Sequence, residues 1–215
     1  MVKTKKAIIV SAGTYAQVYS EYLSAEYKIL GYFDDDKKLK GNVINGIKVL
    51  GHLNELDSFM ANDLSISIFV PLGDNEMRYR LLKKYKMKGY LIPSFISKDT
   101  IIHESVKIGE AVYILPGTNI MPLTTIGDYT MISMGVNIAH HNTIGKACFF
   151  SLGNNVGASI EIGRNVFFGI ASTIMTGVKK IGDNSLIGAG AVIIKNVNEG
   201  ETVVGNPGRV IKVVK

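Results

Sequence analysis

Two rhythms of apolar residues divide the chain. Up to about residue 95, short apolar runs alternate with segments of helical length. Residues 6–11 (KAIIVS) are an apolar run with a turn signal after it, and residues 14–23 are rich in Tyr, Ala, Gln and Glu, which predicts a strand and then a helix. Residues 27–33 predict a second strand that ends in Asp34, Asp35 and Asp36. Residues 47–50 predict a short third strand leading into a helix over 52–60, and residues 65–71 a buried strand before a helix over 76–88. Residues 90–96 predict a closing strand. Strands alternating with helices imply a small parallel sheet covered on both faces. Residues 1–95 therefore read as one Rossmann-like α/β domain.

From Ile102 onward the period is six. Ile102, Ile108, Ile114, Ile120, Ile126, Ile132, Ile138, Ile144, Phe150, Val156, Ile162, Phe168 and Ile174 follow one another without a polar interruption. Two residues before each stands a side chain that is mostly small or β-branched, as in Val112, Thr118, Thr124, Thr130 and Val136. Residues two apart in a strand point the same way, so each hexad supplies one large and one smaller inward residue before the chain turns. Ile-Gly recurs at 108–109, 126–127, 144–145 and 162–163, which makes three hexads one coil of a three-sided solenoid whose core is a continuous column. The step from Ile174 to Ile181 is one residue longer and reads as a bulge, after which Ile187 and Ile193 resume the series. Residues 96–215 form this second, all-β domain.

Composition adds bounds. The 215 residues are 47% hydrophobic, as expected of a folded chain with one large core or two smaller ones. Lys and Arg outnumber Asp and Glu by 24 to 18, an excess that favours anionic ligands, but the charges are scattered and point to no nucleic acid. Cys148 has no partner for an internal disulfide, the first ten residues have no secretory character, and no apolar segment is long enough for a membrane span. A cytoplasmic location is expected.

Three places can carry chemistry. His140 and His141 follow Ile138 by two and three residues, at a solenoid corner where side chains leave the packed column. Ser11, Gly13 and Thr14 form the turn after the first strand, where helix N-terminal amides can meet phosphate, although Ser11-Ala12-Gly13 is a poor copy of the glycine-rich dinucleotide motif. Asp34 and Asp35, about twenty residues on, suit ribose hydroxyls or a base edge. Gly73, Asp74 and Asn75 end the later buried strand at the same side of the sheet.

The segments IIVSAGTYAQ (8–17), GYFDDD (31–36), HES (103–105), NIAHHNTIG (137–145) and VVGNPGRVIK (203–212), in this order and spacing, resemble the sialic acid O-acetyltransferase and bacillosamine N-acetyltransferase group of hexapeptide-repeat acyltransferases. The resemblance implies a left-handed β-helix, a homotrimer with active sites between subunits, acetyl-CoA as co-substrate, and transfer to a nucleotide-linked amino sugar. It places the general base on His140, with His141 beside it, and sets Ala158, Ile170 and Gly188 along the pantetheine arm. Lys195 and Arg209 then meet the CoA phosphates. Two departures stand out: the residue after the base, often acidic in the group, is His141, and a second histidine of some members aligns with Phe149. O-acetylation of a sugar or sialic acid is the nearest alternative. A β-helical zinc enzyme and a non-catalytic scaffold are the more distant ones, and no metal is expected.

Overall fold

The structure, a computed structural model, describes residues 5–213. The chain divides between Pro93 and Ser94.

In the first unit β1 (Lys5–Val10), α1 (Thr14–Leu23) and β2 (Tyr27–Asp34) follow the pattern of the sequence. β3 (Val43–Ile44) and β4 (Ile47–His52) form a hairpin across Asn45 and Gly46, both at positive φ. A short helix α2 (Leu56–Met60) precedes β5 (Ser67–Phe69), and α3 (Asn75–Met87) closes the unit. The sheet order is β3-β4-β2-β1-β5, parallel apart from the hairpin edge. Ala7, Ile8 and Ile9 of the central strand are fully buried.

Two expectations fail here, each for a local reason. The helix expected over 52–60 begins only at Leu56, because His52 ends the strand and opens a 3-10 turn, Leu53–Glu55, closed by a reciprocal capping box with Glu55. The closing strand over 90–96 is split. Leu91 makes one bridge to Ser67, while Phe95–Ile96 pairs with Tyr113–Ile114 as the first rung of the solenoid.

The second unit is the left-handed β-helix, two-residue strands laid in three parallel faces. The first face runs through Phe95–Ile96, Tyr113–Ile114, Met131–Ile132 and Phe149–Phe150; the second through Ile101–Ile102, Asn119–Ile120, Asn137–Ile138 and Asn155–Val156; the third through Lys107–Ile108, Thr125–Ile126, Thr143–Ile144 and Glu161–Ile162. Ile126, Ile144 and Ile162 stack one above another, and each is at most 2% exposed. Phe150 and Phe168 stack inside the column with centroids 4.4 Å apart.

Two backbone features explain the hexad's remaining letters. Every sixth residue from Ala111 to Gly177 has positive φ, His141 at 58° among them, so each corner turns through a left-handed residue and excludes β-branched side chains there. The repeated glycine after isoleucine answers to coil spacing: a Cβ on Gly127 would stand 2.6 Å from the backbone of Gly145, and one on Gly145 equally close to Gly163. The expected bulge lies at 175–178, where Thr176 bridges to Val178. The described residues close with a hairpin, Glu201–Val204 with Arg209–Val213, laid onto Leu186–Ile187.

Candidate active site

The three edges of the prism carry different chemistry. Residues two beyond the inward position of the third face are Glu110, Asp128, Lys146, Arg164 and Asp183, a charged edge held by Lys146–Asp128 and Arg164–Asp183 ion pairs, each at 2.9 Å. The same offset on the first face gives an apolar edge, where Met134, Leu152 and Ile170 are 40%, 43% and 55% exposed. On the second face it gives Glu104, Pro122, His140, Ala158, Thr176 and Lys195, aligned by the register that pairs Ile138, Val156, Ile174 and Ile193. At one strand spacing per coil, Lys195 lies ~14 Å along this edge from His140.

His140 and His141 are exposed, with Nδ1 of each 2.9 Å from Nδ1 of the other and their rings nearly perpendicular. Their corner is rigid. His141 N–H donates to the Pro122 carbonyl and the His140 carbonyl accepts from Ser159 N–H, tying it to the coils on both sides. Beneath it Asn142, 1% exposed, donates from Nδ2 to the carbonyls of Ala139 (2.6 Å) and Gly157 (2.9 Å) and accepts from Ile160 N–H (2.9 Å). The sequence pattern counted Asn142 only as one more inward residue. Its signal was an amide in a column otherwise occupied by Val106, Thr124 and Ile160, since a buried amide must be answered on both sides.

A shallow cavity of about 370 Å³ opens on the second face beside this edge, lined among others by Met121, Asn137, Ala139, Asn155, Met175 and Thr176. Asn119, Asn137 and Asn155 form an amide ladder across it, with bonds of 2.9 and 3.0 Å. Their eighteen-residue spacing is the sequence signal of this ladder.

The expected acetyl-CoA residues separate into two groups. Ala158 stands one coil from His140 on the histidine edge, and Lys195 stands further along it, sharing a cavity of about 300 Å³ with Arg209. Ile170 and Gly188 belong to the apolar edge. The space beside Gly188 is taken by the chain itself, since a Cβ there would meet Val204 Cγ1 at 2.7 Å. Phe149 lies on another face from His140 and stacks on Phe167 with ring planes 5° apart. Among the described residues no group of three or more His, Cys, Asp or Glu is placed to hold a metal ion.

In the first unit, β1 lies between β2 and β5, so the chain reverses its winding between β1 and β5. A crevice at the carboxyl ends of the strands forms at such a point. Ser11, Gly13 and Thr14 sit on one side of it, and Gly73 sits on the other, where a Cβ would come within 3.9 Å of Tyr15. Two of the expected ligands are turned inward. Asp34, 6% exposed, accepts from the amides of Ala12 (2.7 Å) and Asp36 (2.9 Å), so its carboxylate holds the turn instead of facing a ribose. Burial pushes its pKa up, but the hydrogen bonds from Asp36, Ala12, Asp35 and Ser11 outweigh that and keep it below the ordinary value. Asn75 is also buried, and its Oδ1 accepts from Arg78, itself fully buried, at 2.7 Å. Asp35, Asp36 and Asp74 are left exposed. A larger cavity, about 1030 Å³, lies at the opposite, amino ends of the strands around Lys5, Tyr27 and Ser67, away from the loop amides that favour phosphate.

Residues 6–85 match the PglD N-terminal domain family. That match lies within the N-terminal unit and does not reach the β-helix. Among solved structures, PerB from Caulobacter crescentus in complex with CoA and GDP-perosamine is 25% identical to this chain, with a TM-score of 0.88 over 96% of this chain and 97% of that one. A histidine-to-alanine variant of GDP-perosamine N-acetyltransferase from Caulobacter crescentus, in complex with CoA and GDP-perosamine, is 24% identical, with a TM-score of 0.89 over the same shares. The acetyltransferase domain of PglB from Neisseria gonorrhoeae FA1090 is 22% identical, with a TM-score of 0.87 over 96% of this chain and 100% of that one. The last two establish the fold. No protein among the functionally curated sequences matches the chain. Among the described residues no helix is long and apolar enough to cross a membrane.

Proposed function

We infer that this chain is an enzyme that transfers the acetyl group of acetyl-CoA to the amine of a nucleotide-linked amino sugar, with His140 as general base. The observation that carries this reading is His140 itself, an exposed imidazole on a braced corner of a hexapeptide β-helix that follows a PglD-type N-terminal domain. The neutral sugar amine attacks the thioester carbonyl carbon, and His140 takes the proton that the nitrogen sheds as the C–N bond forms. The tetrahedral adduct collapses as the C–S bond breaks. CoA leaves as a thiolate and takes the proton held by His140, which returns the imidazole to its neutral form, and no acyl-enzyme is formed.

Acetyl-CoA is taken by Ala158, Ile170 and Lys195, whereas Gly188 is covered by Val204 of the terminal hairpin. In one chain Ala158 and Ile170 are on different edges, so an arm touching both lies in a groove between two copies. The exposed Met134, Leu152 and Ile170 are the apolar surface that such a neighbour covers, in a homotrimer. Lys195 and Arg209 supply positive charge for the CoA phosphates. Ser11, Gly13, Thr14, Asp35 and Gly73 border the nucleotide crevice, with Asp34 and Asn75 shaping it from within. The enzyme works in the cytoplasm, where acetyl-CoA is supplied.

The test is a panel of nucleotide-linked amino sugars with acetyl-CoA, followed by free-thiol release and product mass, for the native protein and His140→Ala. One amino sugar is expected to gain an N-acetyl group, and His140→Ala to lower kcat about 10²- to 10⁴-fold. Acetylation of hydroxylated sugars alone would overturn the choice of nitrogen. A full rate in His140→Ala would overturn the base.

A further inference from the structure

His140 and His141 are adjacent in sequence, and in an extended strand adjacent side chains point to opposite faces. The left-handed φ of 58° at His141 lets the two rings meet instead. Their Nδ1 atoms are 2.9 Å apart, the ring centroids 5.1 Å apart, and the planes cross at 88°. A neutral imidazole carries its proton on one nitrogen only, so in this pair one Nδ1 donates and the other accepts. The donor ring is thereby held in the tautomer whose Nε2 has a free lone pair.

We propose that His141 is the positioning residue for His140: its Nδ1 accepts the Nδ1–H of His140 and so leaves Nε2 of His140 unprotonated toward the substrate. The inference rests on His140 being the base, and it supplies what holds that base when no carboxylate stands beside it. When Nε2 of His140 takes the proton of the amine, Nδ1 keeps its own, and the Nδ1–H···Nδ1 bond survives as a charge-assisted one. His141 stays neutral throughout and passes no proton on. Its work is to choose the tautomer and to hold the ring plane.

The left-handed position makes the test clean. Asn, Asp and Gly are the residues that adopt this conformation most readily. An Asn or Asp Oδ1 is bonded to Cγ as the histidine Nδ1 is, so His141→Asn keeps a neutral acceptor in place, His141→Asp keeps a charged one, and His141→Gly removes the acceptor without straining the corner. Two readouts are needed. The first is kcat and KM of native protein and the three variants with acetyl-CoA and the amino sugar that the panel identifies. His141→Gly is expected to lose about 10- to 100-fold in kcat with KM within about 2-fold, while His141→Asn and His141→Asp stay within about 3-fold of native. The second is the nitrogen-15 spectrum of histidine-labelled protein without substrate, at a pH where both rings are neutral. His140 is expected as the Nδ1–H tautomer in native protein and as a mixture dominated by Nε2–H in His141→Gly.

Native kcat in His141→Gly, an Asn variant as slow as the Gly variant, or a native spectrum with the shared proton on His141 Nδ1 would each overturn the proposal. The spectra need no sugar. A native protein that acetylates nothing on the panel yet shows the Nδ1–H form of His140 would retire the proposed reaction and leave the pairing of the two rings standing.

Discussion

The charged edge and the histidine edge of the β-helix are made by the same backbone repeat, yet they use their polar groups in opposite ways. On the charged edge Asp128 takes Lys146 and also the amide of Glu110, and Asp183 takes both Nε and the backbone N–H of Arg164, so its charges are spent on one another and on the coil. On the histidine edge the bracing is moved underneath. Asn142 satisfies three backbone groups from inside the column, and the two imidazoles above it bind only each other among the described residues. An edge that pairs its charges outside the column commits them to holding the coils together. One whose bracing is buried can afford to leave chemistry on its surface.

Three variants probe the two edges, and a fourth probes the carboxylate that holds a turn of the first domain. The largest effect is expected from Asn142→Ala, which leaves the carbonyl of Gly157 and the amide of Ile160 without the side-chain partner they have now and the carbonyl of Ala139 with the Thr124 hydroxyl alone. Thermal and denaturant unfolding should show a loss of about 2–4 kcal/mol, with kcat reduced at temperatures where the fold persists. Stability unchanged in that variant would mean that the corner does not depend on its buried amide.

Asp34→Asn removes a carboxylate that two amides hold, and should cost about 2 kcal/mol at neutral pH. Because the folded pKa of Asp34 is lowered, its contribution is fully present above the unfolded carboxyl value and is lost as pH falls through the folded value. The gap in stability between native protein and variant should therefore close at acid pH, and a gap constant over that range would show that the charge contributes nothing.

Lys195→Ala tests the far end of the histidine edge. KM for acetyl-CoA should rise about 3- to 10-fold at low ionic strength, less at high salt, with little change in kcat. The smallest effect belongs to the charged edge: Arg164→Ala should cost no more than about 1 kcal/mol and leave kcat and KM as they were, since its ion pair with Asp183 is a surface one. A large loss of activity in Arg164→Ala would place chemistry on the charged edge as well.

The six-residue period contained the prism, its coil length and the identity of its inward residues, because side chains in a stacked column have only their neighbours to satisfy and the code is local. The Ile-Gly pairs and the bulge after Ile174 were readable for the same reason. In the first domain the strand and helix of residues 5–23 were equally plain. Its later boundaries were not, since one capping box at His52 and one rung at Phe95–Ile96 decided them, and both depend on which partner is within reach.

What the sequence determined on its own was a two-part chain with a β-helix and a histidine pair at one of its corners. Tertiary structure alone decided that Asp34 and Asn75 face inward, that Asn142 braces His140, that Ala158 and Lys195 share its edge while Ile170 and Gly188 do not, and that the two imidazoles meet at Nδ1. A repeat determines which residues leave the column. Where they go afterwards depends on the coil above and the coil below, eighteen residues away in either direction.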